Sequence, residues 1–352
     1  MEKKFVRFRD IPQFRTVIHN MIHQCQFLGL DNDGKPILNP NAEKPTVNFT
    51  GTVKLHGTNA SACILLDTGE TWHQSRKRIV TVEVDNHGFA HFCESRKSMI
   101  TGLLAEAVES LGDLTNIGIV SIFGEFCGRG IQNGVAISQL PPMFVIFAVK
   151  VVPNDESPSF YISSKGLRSP DNQIFNIADF DTFSVDVDFN YPQLAQAQFV
   201  DLVKKVENQC PVGLELDAGD ITTGEGIVWV GEYDGVQHVF KTKGDKHSAS
   251  RVKVVAEVDV TKVHNIMEFV DYAVTENRME QAIEEIFIST GDEIVIKRMS
   301  HFLRWVVGDI AKEESDVLLE NDLVLKDVTR SISNKARPWF QALLNKNAGL
   351  AD

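Results

Sequence analysis

The sequence predicts an α+β protein, with a domain of short strands over residues 1–254 and a helical domain over residues 255–352. Three observations predict it. Runs rich in Val, Ile, Phe and Trp, namely "GIVSIFGEF", "MFVIFAVKVV", "GEGIVWVG" and "HVFKTKG", are bordered by Gly, Pro or Asp, as strands and turns are. Among them, "SMITGLLAEAVESL" and "YPQLAQAQFVDLVKKVENQ" space their apolar residues three and four apart, the helical period. Past Val254 the strand–turn–strand signal stops. "HNIMEFVDYAVTENRMEQAIEEIF", "EIVIKRMSHFLRWVVGDIAKEE" and "LVLKDVTRSISNKARPWFQALL" all read as helices.

The start, "MEKKFVRFRDIPQFRTV", is basic but has no apolar core and no small-residue cleavage site, so it does not read as a secretory signal. Asp10 and the lack of serine count against a mitochondrial presequence. No apolar run reaches the length of a membrane span, and five scattered cysteines form no CxxC pair. These features suit a reducing cytoplasm and argue against both a disulfide framework and a structural zinc site. A net charge of −13 argues against a generic polyanion binder. It leaves room for local contacts, because salt screens distant acids and "RKR" at Arg76, Lys77 and Arg78 is basic at short range.

Three other patterns carry no chemistry. "GLDNDGKP" has the glycine–lysine spacing of a P-loop, but Pro36 replaces the Mg²⁺-binding hydroxyl, and Asp31 and Asp33 repel phosphate, so it reads as a turn. "GRGIQNG" lacks the third glycine of a dinucleotide fingerprint. His87, His91 and Cys93, like His19 and His23, lack a fourth metal ligand nearby.

"VKLHGTNAS", residues 53–61, places Lys54 and His56 on an extended segment, where alternate residues share a face, and closes it with Gly57. A lysine attacks only as the neutral amine, which desolvation or neighbouring cations favour. "FKTK" offers such cations: Lys241 and Lys243 alternate with Phe240 and Thr242 on one strand face. Glu125 in "FGEFCGRG" and Glu225 in "GEGIVWV" are carboxylates on apolar strands, costly unless they bind a cation, a ribose hydroxyl or a metal.

In this order the segments resemble the ATP-dependent RNA ligases of the RNA ligase 2 type, in the covalent nucleotidyltransferase superfamily that includes DNA ligases and capping enzymes. "KLHGTN" is similar to the nucleotidyl-lysine motif, "SR" at Ser75–Arg76 to the next, "FGEF" to the third and "FVIFAV" to the adenine-stacking strand. "GEGIVW" and "FKTK" resemble the last two motifs, and "NKARPWFQALL" the final helix of this branch. Two features depart from the pattern: Val53 stands where relatives carry a charged residue, and residues 31–50 make a long approach to the first motif.

The resemblance implies an antiparallel-sheet nucleotidyltransferase (adenylation) domain, 1–254, followed by a small all-α domain, 255–352. It implies ATP with Mg²⁺ or Mn²⁺, and three phosphoryl transfers by way of lysyl–AMP and adenylylated RNA. Lys54 becomes the nucleophile, while Lys241 and Lys243 hold the α-phosphate and favour the neutral amine of Lys54. Glu125 takes the ribose hydroxyls, Glu225 serves metal or water, and Phe147 stacks on adenine. Asn59 and Arg76 contact nucleotide and RNA 5′-phosphate, and Val53 and Leu55 line the nucleotide site, Val53 through its backbone. His56 is catalytic or else a hydrogen-bonding spacer, and Thr58 caps the turn. The partner implied is RNA with 5′-phosphate and 3′-OH ends, in a nicked duplex, with no membrane and no obligate protein partner. Residues 255–352 hold 11 Lys/Arg against 18 Asp/Glu, a net −7, so RNA contacts there fall to the locally basic Arg330, Lys335 and Arg337. The rivals are a DNA-end or hybrid-end ligase or a capping guanylyltransferase of the same superfamily, and a nucleotide- or RNA-end-binding protein without turnover. DNA ligases and capping enzymes normally follow the K-x-K strand with a β-barrel, and a binding protein predicts damage at Lys54, Lys241 or Lys243; neither feature is in the sequence.

Overall fold

The computed structural model describes residues 2–244, 266–320 and 323–347. From the N-terminus, α1 (Phe14–Gln26) precedes a hairpin of β1 (Phe27–Leu30) and β2 (Pro36–Leu38). Strand β3 (Thr46–Lys54) leads past Gly57 into β4 (Thr58–Leu65), β5 (Glu70–Ser75) and β6 (Ile79–Val80). Helices α2 (Phe89–Glu94) and α3 (Lys97–Glu109) come before the long strands β7 (Ile117–Cys127) and β8 (Met143–Pro153). Strands β9 (Phe160–Ile162), β10 (Ile174–Asn176) and β11 (Thr182–Asp188) precede α4 (Gln193–Asn208) and α5 (Pro211–Glu215). Then come β12 (Gly226–Tyr233) and β13 (Val236–Lys243), joined through Asp234 and Gly235, whose φ values of 50° and 70° suit a tight type I′ turn. The described remainder is mostly helical: α6 (Ile266–Ala273), α7 (Glu276–Ile283), α8 (Met299–Glu313), α9 (Ser315–Glu320) and α10 (Leu325–Asn347), with residues 292–295, where the sequence suggests a helix from Glu293, outside any helix.

The chain forms two compact units, one of residues 1–10, 52–183 and 205–227, the other of residues 11–51, 184–204 and 228–352. The boundary expected at Val254 lies outside the described residues.

In the first unit the strands run in the order β10-β8-β7-β4-β5-β6, with β9 beside β8. All pairs are antiparallel except β10 with β8. Both faces of β7 are covered, which is why "GIVSIFGEF" reads as a continuous apolar run. One face of the sheet, with Val120, Ile122 and Phe126 of β7 and Phe144 of β8, packs into one core with Phe89, Phe92 and Leu104 of α2 and α3. The other face, with Cys63, Trp72, Ile119 and Phe123, is covered by Val6 and Phe8. Gln74 fixes that N-terminal segment: its Oε1 accepts from the Val6 N–H at 3.1 Å and its Nε2 donates to the Val6 carbonyl at 2.5 Å.

In the second unit the order is β11-β3-β12-β13. Phe240 centres an aromatic cluster, 4.8 Å from Phe14 and 5.2 Å from both Phe49 and Phe199. The helices share a separate core that includes Phe269, Phe287, Phe302, Ile310, Ile332 and Phe340. Helix α1 is not expected from the basic start, yet Phe14, Val17 and Met21 carry the helical spacing and Val17 and Met21 are buried. The stretch from Gly29 to Pro36 is a hairpin loop. Asp31 Oδ1 accepts from the Asp33 and Lys35 N–H groups, satisfying the kind of backbone donor that a phosphate loop presents to its ligand.

Candidate active site

β3 alternates buried and exposed positions, and it stops at Lys54 because the next residues turn toward Gly57. No residue but glycine fits at 57 without rearrangement. A Cβ there would lie 2.4 Å from the Phe126 carbonyl oxygen and 2.7 Å from Cys127 Cβ. The bend therefore lays the Gly57 backbone against β7, and its N–H donates to Glu125 Oε1 at 3.1 Å.

His56 lies just beyond the strand, so the shared strand face expected for Lys54 and His56 does not account for their meeting. A common partner does. Lys54 Nζ donates to Glu225 Oε2 at 2.6 Å, and His56 Nδ1 is 3.5 Å from the same oxygen. Glu225 is buried, with 3% side-chain exposure, while Lys54 retains 22%. Immediately before β12, the Gly224 N–H holds the segment by donating to the Val206 carbonyl at 3.0 Å.

Glu125 sits on β7 directly opposite Asn59 of β4, and paired residues in an antiparallel ladder share a face. Burial pushes its carboxyl up to about 7. Lys54, His56 and the Gly57 N–H oppose that rise and Glu225 adds to it. Two carboxyls here thus disfavour each other's charge, and a cation would relieve both. Mg²⁺ characteristically arrives with phosphates and takes only one or two protein carboxylates, so Glu225 fits such an ion. Among the described residues no group of three His, Cys, Asp or Glu side chains is arranged as a self-sufficient metal site.

The register of β7 with β8 shifts between Phe123 and Gly124, where Phe123 pairs with Ala148 and Gly124 with Ile146. Phe147 is the extra residue of this bulge, which re-aims its side chain into the cluster over Phe123. There its ring lies edge-on to Phe8 at 5.1 Å. Lys150, opposite Ser121, donates to the Arg7 carbonyl at 2.7 Å, and burial lowers its pKa. Neither Phe8 nor Lys150 stood out in the sequence. The signal for Lys150 was its place on an alternating strand whose register only the bulge reveals.

Val53 and Leu55, on either side of Lys54, are buried, and Thr58 Oγ1 accepts from Asn86 Nδ2 at 3.1 Å. Arg76 is exposed between β5 and β6 and pairs with Asp10 at 3.2 Å. Lys241 and Lys243 belong to the second unit, on β13, where Lys241 Nζ donates to Glu313 Oε1 at 2.9 Å. Also in that unit, Arg330 and Arg337 are exposed one heptad apart on α10. Lys335 leaves their stripe and pairs with Asp271 at 2.6 Å.

Three structures of an RNA ligase from Naegleria gruberi are similar to this chain: one with PPi, a mutant with ATP and Mn, and a mutant with AMP and Mn. Identities are 14%, 14% and 15%, with TM-scores of 0.41, 0.41 and 0.40. Each match covers 69% of this chain, which spans only 57–58% of those chains' length. Among curated proteins no match was found. A sequence model of the RNA ligase family matches residues 47–255, from β3 past β13 and through Lys54, Glu125, Glu225, Lys241 and Lys243. With well over half of its length matched, the chain belongs to the RNA ligase family.

Proposed function

We propose that the protein is an ATP-dependent RNA ligase of the RNA ligase 2 type, joining 3′-OH and 5′-phosphate ends in RNA repair. The observation that carries this reading is Lys54, held at 2.6 Å by buried Glu225 at a strand end where Gly57 lets the backbone close on Glu125. A solvent-exposed structural lysine needs none of that support.

In the first step the Lys54 amine attacks the α-phosphorus of ATP. An N–P bond forms, the bond to the bridging oxygen breaks, and pyrophosphate leaves. The attacking nitrogen loses a proton, for which Glu225 Oε2 is in hydrogen-bond reach. AMP then passes to an RNA 5′-phosphate, releasing the amine, and a 3′-OH displaces AMP to seal the strand. Little of this work is covalent assistance. The protein positions the groups and neutralises charge.

Glu125 receives the ribose hydroxyls, and its elevated pKa allows it to donate as well as accept. Phe147 offers a ring to adenine, and Asn59 and Arg76 take nucleotide and RNA 5′-phosphate. Val53 and Leu55 flank the nucleotide, Val53 through its backbone. Lys241 and Lys243 hold the α-phosphate, and His56 orients Glu225. A divalent cation, Mg²⁺ or Mn²⁺, supplies neutralisation of the phosphate charge, with Glu225 the residue that would hold it. Arg330, Lys335 and Arg337 contact RNA, and residues 1–254 and 255–352 divide the nucleotide and RNA-docking tasks.

The test is incubation with α-labelled ATP and either cation, followed by nicked, single-stranded, tRNA-like and hybrid ends. We expect one acid-labile AMP on Lys54, transferred to RNA. AMP mapped by mass spectrometry to another lysine would overturn the assignment.

A further inference from the structure

The last turn of α8 is charged in a way that opposes its own helix. Asp309, Glu313 and Glu314 stand at or just past the C-terminus, where the helix dipole is negative and carboxylates destabilise. Each has a cation. Arg278, fully buried, donates from Nε to Asp309 Oδ2 and from Nη2 to Glu314 Oε1, both at 2.8 Å. Arg15 bonds Glu314 Oε2 at 2.5 Å, the Tyr272 hydroxyl at 2.7 Å and the backbone carbonyl of Glu313 at 2.8 Å. Tyr272 closes the network on Glu314 Oε2 at 3.0 Å. Glu313 is thus fixed by its own main chain and by both neighbours of its turn. Its carboxylate then bonds Lys241 at 2.9 Å, with side-chain exposures of 14% and 19%. Burial pushes the Glu313 carboxyl up, but Lys241, with Lys243 and Lys312, pulls it below its ordinary value, so it stays ionised.

We infer that Glu313 is a positioning residue for the lysyl–AMP step, holding the Lys241 ammonium in place for the α-phosphate. The inference rests on the proposed role of Lys241. A lysine on a four-carbon stem samples many rotamers, and fixing it before substrate arrives removes that entropy from the transition state. An ammonium has three donors, so a bond to Glu313 and a bond to phosphate are compatible. The helical region then takes part in the nucleotide step as well as in RNA docking.

The test uses the full chain without RNA, measuring single-turnover lysyl–AMP formation across ATP concentrations. Variants are Glu313→Gln, Glu313→Ala, Lys241→Ala and the Lys241→Ala/Glu313→Ala double, each with a melting curve. We expect Glu313→Ala to lower the maximal rate roughly tenfold while the ATP concentration at half-maximum moves far less. Glu313→Gln, which keeps a hydrogen bond to Lys241, should fall between Glu313→Ala and wild type. In the Lys241→Ala background, removing Glu313 should cost no more than about twofold, because a residue acting through Lys241 has nothing left to position. Wild-type rates in Glu313→Ala, or additive losses in the double variant, would overturn the inference. A faster Glu313→Gln would also overturn it, identifying the carboxylate as a competitor of phosphate. A wild-type protein that forms no lysyl–AMP at all would instead sink the proposed function, and this inference with it.

Discussion

Gly57 and Glu125 show how much a single residue decides at this site. Alanine at 57 must displace the Phe126 carbonyl, a backbone atom with no rotamer to escape into. Gly57→Ala should therefore cost on the order of 1–3 kcal/mol, as overpacking does, and it should loosen the Glu125 bond at the same time. A chemical melt together with the rate of lysyl–AMP formation checks both. Glu125 gives a pH signature. Its folded pKa of about 7 lies above the ordinary 4.5, so the folded state holds the proton more tightly than the unfolded chain. Its contribution to stability is complete below about 4.5 and is lost as pH rises through 7. Glu125→Gln does not ionise, so relative to wild type it should gain stability between pH 5 and 8. A difference in melting temperature that stays flat over that range would contradict the sign. Lys54 was legible in the sequence as a lysine on an extended segment, and Glu125 and Glu225 as costly carboxylates on apolar strands, although Glu225 lies one residue before its strand, β12. That one oxygen of Glu225 serves both Lys54 and His56 was not, because 171 and 169 positions separate them.

Long elements with a clean period were legible: α3, α4, β7, β8, β12 and β13 fall where their apolar spacing puts them. Failures came where a local feature interrupts a period. The helical run beginning at His264 is described from Ile266 onward. It breaks at Thr275, whose hydroxyl accepts from the Arg278 N–H at 3.3 Å and starts α7 with Glu276 in its first turn. Pro338 lies inside α10 without ending it, exposed on the helix surface. Strand β13 carries the prediction at this scale. On the proposed function, Lys241→Ala and Lys243→Ala should each slow lysyl–AMP formation about a hundredfold, as lost oxyanion donors do. Arginine should not fully restore either, because a planar guanidinium does not reproduce a compact ammonium. Near-normal adenylylation in both alanine variants would remove these lysines from the phosphate site. In the helical core, Arg278→Ala leaves the largely buried Asp309 without its cation and takes from Glu314 one of its two, Arg15 remaining, and should cost roughly 3 kcal/mol in a denaturant melt.

For the whole molecule, a fragment ending near Val254 looks from the sequence like a self-contained adenylating domain. The structure argues for point variants instead, because α1 and β13 share bonds with α8 through Arg15–Glu314 and Lys241–Glu313. Replacing Arg330, Lys335 and Arg337 together by alanine in the full chain should leave lysyl–AMP formation intact and slow sealing of 5′-phosphate ends. Equal sealing would remove α10 from RNA docking. Within that trio, most of the effect should come from Arg330 and Arg337, since Lys335 is already occupied by Asp271.

The sequence by itself determined the class of fold, the order of the motifs and the residue types able to do this chemistry. Those depend on local spacing, which a chain carries from one end to the other. Tertiary structure decided who partners whom: Glu225 with Lys54, the Gly57 backbone with Glu125, Phe147 with Phe8 and Glu313 with Lys241. Such pairings depend on strand order, on one bulge in β8 and on a helix end arriving beside β13, and no local period encodes them.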